Sequence, residues 1–320
     1  MSSPTTTTTT TSPEPFHFQI DIYTDTVCPF SHLGHLSLTR AISSFSSSTS
    51  ATFSLTYHPY ILYPTARPSS RPLGEALKHI YSSHSSPSHQ TQTQTQTSSS
   101  ILTHLDNLAS VYNTKFNWDG LTGNSRDSHR LVLLAQERFQ HHPHPQSHPH
   151  PHPQPPTTHP HPPTLHHFLT HLHHSTFHLG HDISNRHTLA SIGLSFHLFP
   201  TLQEGLAWFE SGQLGAEVDE ECERAKKKVG VRAVPSYVVN GRWVVGGMQE
   251  GGWWEGLFGR VIAQHRQEGI VGDEEGEGEE GEEREEQDGV EGEQQHGRNC
   301  RVVVGGGVVA DDDGRERGRT

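Results

Sequence analysis

Cys28 lies in the run Asp21-Ile22-Tyr23-Thr24-Asp25-Thr26-Val27-Cys28-Pro29-Phe30-Ser31-His32-Leu33-Gly34. Alternating apolar residues stop just before it, Pro29 follows at once, and a helical pattern begins. A thiol at a helix start faces free backbone N–H groups and the positive end of the helix dipole, and both favour the thiolate. Such a cysteine titrates at roughly 3.5–7.5 rather than about 8.5, so the expected chemistry is nucleophilic attack by sulfur near neutral pH. The position three residues on is Ser31, not a second cysteine. A two-thiol enzyme attacks a disulfide with one sulfur and frees itself with the other. A serine cannot take the second step, so this run is a one-thiol version of such a redox motif. The Ser31 hydroxyl is placed to hydrogen-bond a thiolate, and His32 follows it; a side chain facing solvent is the expectation for His32.

The elements that would hold Cys28 are legible on both sides. Phe16–Ile22 alternates with period two and reads as a strand. Leu38, Ala41, Ile42 and Phe45 mark an amphipathic helix, and 53–57 alternates again, which makes a βαβ unit with two parallel strands. Five helical stretches follow at 73–81, 101–112, 129–139, 164–179 and 186–194, with Asp127 and Ser128 as the cap of the third. Ser236–Val239 and 242–245 form two β-rich runs joined by Asn240-Gly241, a hairpin signal. Trp254, Leu257, Phe258 and Val261 mark a closing helix. Ahead of the hairpin, Pro235 stands at a strand start, where proline is tolerated and sometimes cis.

Composition separates foldable from unfoldable segments of the 320 residues. A threonine run (1–15), a Thr-Gln stretch (82–100), His-Pro repeats (140–163) and a Gly/Glu-rich tail (269–320) are too polar to offset the entropy of ordering and are expected to be disordered. About 210 residues remain, enough for one compact unit. The tail carries most of the net charge of −13. The rest is nearly neutral and lacks a dense basic patch, which argues against nucleic-acid binding. With three cysteines, no signal-peptide pattern and no apolar stretch of membrane-spanning length, a reducing, cytoplasmic setting is expected, with no membrane partner. The histidines between His141 and His161 alternate with prolines and have no fixed geometry, so no metal site and no bound cofactor are assigned. Cys222 sits among acidic residues that raise a thiol's pKa, and Cys300 lies in the tail. Composition fixes no oligomeric state.

The order strand, Cys-Pro-x-x helix, strand, helical block, Val-Pro strand, hairpin, helix resembles the DsbA-like thioredoxin family. It is most similar to the FrnE-like branch, with the 2-hydroxychromene-2-carboxylate isomerases and kappa-class glutathione transferases as relatives. The resemblance rests on Asp25–Gly34, Tyr57–Pro64, Asn124–Leu131 and Gly230–Tyr237. It implies an α/β thioredoxin fold, halves at 16–66 and 201–268, with an all-helical insertion at 67–200. It also implies that Val234 offers its backbone to a thiol substrate, with Pro235 cis and packed beside Cys28, and that Pro29, Phe30 and His32 line the substrate site. The activity it implies is thiol–disulfide exchange through Cys28 with support from Ser31, with glutathione as co-substrate to release the mixed disulfide, on thiol, disulfide or small electrophilic substrates. The alternatives are a glutathione-dependent isomerase or transferase, and a binding module without catalysis.

Overall fold

The computed structural model describes residues 15–64, 66, 70–83, 93–140, 164–274 and 301–303. Strand β1 (His17–Thr24) runs into helix α1 (Pro29–Ser48), and β2 (Thr52–Pro59) returns parallel to β1, pairing His17 with Thr52 through to Thr24 with Pro59. The βαβ unit therefore forms as its periodicities predict. Strand β5 (Ser236–Val239) pairs antiparallel with β1, and β6 (Trp243–Gly246) pairs antiparallel with β5. Asn240 and Gly241 both take positive φ, as a two-residue hairpin turn requires. Helix α9 (Gly251–Glu274) packs with α1 against the sheet, its Phe258 meeting Phe18 and Phe53 at 5.0 Å.

Between β2 and β5 lie β3 (Arg71–Pro72), α2 (Leu73–Ser83), α3 (Thr93–Ser110), β4 (Leu121–Thr122), α4 (Arg126–Gln140), α5 (Leu165–Phe177), α6 (Arg186–Ser195), α7 (Leu202–Ser211) and α8 (Gly215–Arg224). Strands β3 and β4 make a separate two-stranded sheet. A π-helical turn, Ala225–Val229, links α8 to the approach to β5. This is a thioredoxin fold with a helical insertion.

Several boundaries differ from the sequence reading. The stretch 82–100 is not a loop throughout: α2 reaches Ser83 and α3 begins at Thr93. Once the buried Leu105 and Ala109 anchor a helix, polar Thr and Gln extend it at little cost, since nucleation and not propagation is the expensive step. Helix α4 starts one turn earlier than expected, at Arg126. Asp127 is thus not its cap but lies in its first turn, bonding Arg130 at 2.6 Å and Arg186 at 2.7 Å. Within 269–320, α9 continues to Glu274, and β7 (Arg301–Val303) adds a parallel edge strand beside β6. The sheet order is β2-β1-β5-β6-β7, and Val302 and Val303 gain a physical account as strand-forming residues on the sheet's edge. The threonine run and the His-Pro tract fall outside the described residues.

Candidate active site around Cys28

Chain direction sets the thiol's place. β1 ends at Thr24, the Cys28 N–H bonds the Asp25 carbonyl at 3.0 Å in a tight turn, and Cys28 is the N-cap of α1 with Pro29 in the first turn. Proline is suited to that position because its missing N–H would be unpaired there anyway. From the far end of the sequence, Val234 closes over the thiol. The Val234–Pro235 peptide is cis, and Cys28 Sγ donates to the Val234 carbonyl at 3.8 Å. Cys28, Tyr23, Tyr60, Ala225, Val231 and Val234 form one apolar cluster, with Phe30 packed between it and the cluster built on α2 and α3.

The thiol is 7 % exposed, and this reverses the sequence expectation of a low pKa. Burial pushes Cys28 up to about 11, because a thiolate there has lost its water. The Ser31 and Phe30 N–H groups and the Ser31 hydroxyl pull the other way, while the Asp25 carboxylate adds to the rise. The helix start and Ser31 thus act in the predicted direction but are outweighed by desolvation.

Asp25 is fully buried beneath the turn. Its carboxylate accepts from the Leu62 N–H at 2.8 Å and the Val27 N–H at 3.3 Å, and His129 Nε2 lies 3.5 Å away. Thr26 and Ser128 share a 2.6 Å hydroxyl bond. The segment 124–131 therefore clamps α4 onto the Cys28 turn, a role the sequence signals only as a motif without a function.

The structure assigns the remaining candidates as follows. Pro29 and Ser31 are buried in the first turn of α1, and the Ser31 hydroxyl also accepts from the Asp25 N–H at 3.4 Å. Phe30 is partly exposed beside the thiol cluster. His32 does not face solvent. It is 2 % exposed, stacks on Phe177 at 5.1 Å, meets His178 Nε2 at 3.0 Å and lies 5.2 Å from His173. Residues distant in sequence, on α5 and just past its end, cover that face of α1. Burial, reinforced by neighbouring imidazoles, holds His32 well below the usual histidine range, so it is neutral and contributes no cationic field to the thiol. Cys222 on α8 is also buried and free, donating to the Pro59 carbonyl at 3.5 Å. Its thiol is raised chiefly by burial, with Asp25 and Asp219 adding to the effect of lost water. Among the described residues no group of three or more His, Cys, Asp or Glu is placed to hold a metal ion. No helix among them is long and apolar enough to cross a membrane.

Fold and site together define a thioredoxin-fold protein with its cysteine at the head of α1 opposite a Val-Pro strand start. The family model of the DSBA-like thioredoxin domain matches residues 19–148. Solved structures agree in fold. A probable DsbA oxidoreductase from Streptomyces coelicolor is 17 % identical, with 77 % of this chain and 91 % of that one covered at a TM-score of 0.58. A candidate protein disulfide isomerase from Nitrosomonas europaea is 12 % identical, with 78 % and 99 % covered at a TM-score of 0.51. No curated protein matches the chain by sequence.

Proposed function

We propose that the protein is a thiol–disulfide oxidoreductase that works through Cys28 alone. The observation that carries this reading is the placement of Cys28 Sγ. It sits at the N-terminus of α1, within reach of the Ser31 hydroxyl, and against the carbonyl of Val234. When a substrate disulfide displaces that carbonyl contact, the thiol loses its proton to solvent and the sulfur attacks one substrate sulfur. A mixed disulfide forms, the substrate S–S bond breaks, and the other half leaves as a thiolate. A second thiol, with glutathione as the proposed co-substrate, then attacks the mixed disulfide and releases the Cys28 thiolate. The Val234 backbone is free at that moment to pair with an extended substrate.

Ser31 supports this reading over an isomerase or transferase that would use its hydroxyl to hold glutathione's sulfur. At 2 % exposure its hydroxyl is engaged with Cys28 and the Asp25 N–H. A reducing, cytoplasmic setting suits a mechanism that regenerates a free thiol, and both described cysteines are free.

The test is incubation of reduced protein with glutathione disulfide at pH 7 to 10, followed by intact-mass and peptide mapping. The expected result is a glutathione adduct on Cys28, absent in Cys28→Ala. Its formation rate should climb about tenfold per pH unit as the thiolate fraction grows toward the raised pKa. No adduct on Cys28 at any pH would overturn the proposal.

A further inference from the structure

One short segment contributes Ala225, Val231 and Val234 to the apolar cover of Cys28, and it also carries Lys226 and Arg232. The π-helical turn places Ala225 in the thiol's apolar cluster, and the Val231 N–H bonds the Ala225 carbonyl at 2.9 Å, which brings Val231 and Val234 into the same cluster. The chain must therefore present the intervening polar side chains around that cluster's edge. Lys226 Nζ lies 5.5 Å from the centre of the Tyr60 ring, and Tyr60 itself packs in the cluster with Cys28. Arg232 is exposed two residues before Val234, and its charge acts on the Tyr60 hydroxyl.

Three of the neighbouring cations are held in ion pairs. Lys227 pairs with Glu223, Arg224 with Glu221 and Arg126 with Asp219, each at 2.6 Å. Lys226 and Arg232 have no carboxylate partner among the described residues. The nearest buried acid, Asp25, is engaged by backbone N–H groups and lies beside His129. Two cations that form no salt bridge among the described residues thus stand beside Tyr60, at the lip of a buried thiol.

We propose that Lys226, Arg232 and the face of Tyr60 form a subsite for the carboxylate of an anionic disulfide or thiol substrate. This rests on Cys28 being the nucleophile and names the class of substrate that it takes. The cations hold the carboxylate while the substrate's sulfur enters over Val234. A charged group beside a partly desolvated aromatic wall is screened less than one in open water, so the preference should be specific to this lip and not a property of net charge.

The experiment compares second-order rates of Cys28 with two chromogenic disulfides, the dianionic 5,5′-dithiobis(2-nitrobenzoate) and the neutral 2,2′-dithiodipyridine. Rates measured in Cys28→Ala are subtracted to remove the other thiols. The quantity read is the ratio of the two rates, which cancels any change in the thiolate fraction of Cys28. In Lys226→Glu/Arg232→Glu the ratio is expected to fall about tenfold or more, and the wild-type ratio to fall as salt is raised. Arg260→Glu, the same kind of charge reversal on α9, should leave the ratio as it is. Lys226→Gln/Arg232→Gln should lie between, which guards against a folding defect in the double reversal. A ratio unchanged by the lip variants, or changed equally by Arg260→Glu, overturns the subsite while leaving Cys28 as nucleophile. A wild-type Cys28 that reacts with neither reagent overturns both readings.

Discussion

Acid should destabilise this protein through His173 in particular. His173 is 1 % exposed, and neither ring nitrogen has a hydrogen-bond partner. Burial, reinforced by His178 and His129, pulls it from 6.5 down to about 3. In the unfolded chain it takes up a proton near pH 6.5, whereas in the folded protein it stays neutral down to about pH 3, so stability is lost as pH falls below 6.5. The loss approaches 1.36 kcal/mol per pH unit, or about 2 kcal/mol by pH 5. His32 and His35, held well below 6.5 mainly by burial, act in the same direction. Against a total of about 5–15 kcal/mol, one such residue matters. The assay is urea unfolding of wild type and His173→Leu between pH 7.5 and 5. Native carboxylates titrate in both proteins and cancel in the comparison. At pH 7.5 the variant should match or exceed wild type, because two unpaired buried nitrogens are gone. At pH 5 its advantage should have grown by about 2 kcal/mol. Stability curves that run parallel over that range would refute the reasoning.

Three further outcomes follow from the same packing. Gly34→Ala would place a Cβ against the Tyr237 hydroxyl and 2.9 Å from Pro235 Cγ, beside the start of β5. Overpacking of that kind costs about 1–3 kcal/mol, and an unchanged denaturation midpoint would count against the tight Gly34–Pro235 approach. Ser31→Ala removes a hydroxyl that lowers the Cys28 thiol, so alkylation of Cys28 at a fixed pH of 8.5 should slow about 2- to 10-fold. An equal or faster rate would show that Ser31 does not serve the sulfur. Asp127→Ala leaves the guanidinium of Arg130, 1 % exposed, without its 2.6 Å carboxylate partner. A loss of about 3–5 kcal/mol is expected in chemical denaturation, less to the extent that the carbonyls of Trp208, Phe209 and Gln213 suffice.

The parts legible in the sequence are those that neighbours along the chain encode. Alternation at 16–22 and 53–57, with the 3.6-residue stripe between them, yields β1-α1-β2. Asn240-Gly241 yields the β5–β6 hairpin, because few other residues accept positive φ at both turn positions. The strand-to-helix turn with Pro29 places Cys28 at the head of α1. Helix α7 escaped the reading although Leu202, Leu206 and Phe209 fall at helical spacing, and α8 is legible only as a charged helical stretch around Cys222, because buried apolar positions within it are few. The extension of α3 to Thr93 and the edge strand β7 were hidden by composition, which marks a segment as polar without saying whether a neighbouring element recruits it.

The sequence by itself determined the order of elements, the place of Cys28 at a helix start, and the lack of a second thiol in its motif. Only the tertiary structure decided the state of that thiol. A helix N-terminus and a serine hydroxyl are local and favour the thiolate, but the water they compete with is removed by Val234, Tyr60 and Ala225, which come from other parts of the chain. The same holds for His32, which the local sequence leaves open to solvent and which α5 and Phe177 enclose. Hydrogen bonds and dipoles can be read from spacing within one turn; desolvation depends on which distant segments cover a group, and here it is the larger effect on Cys28.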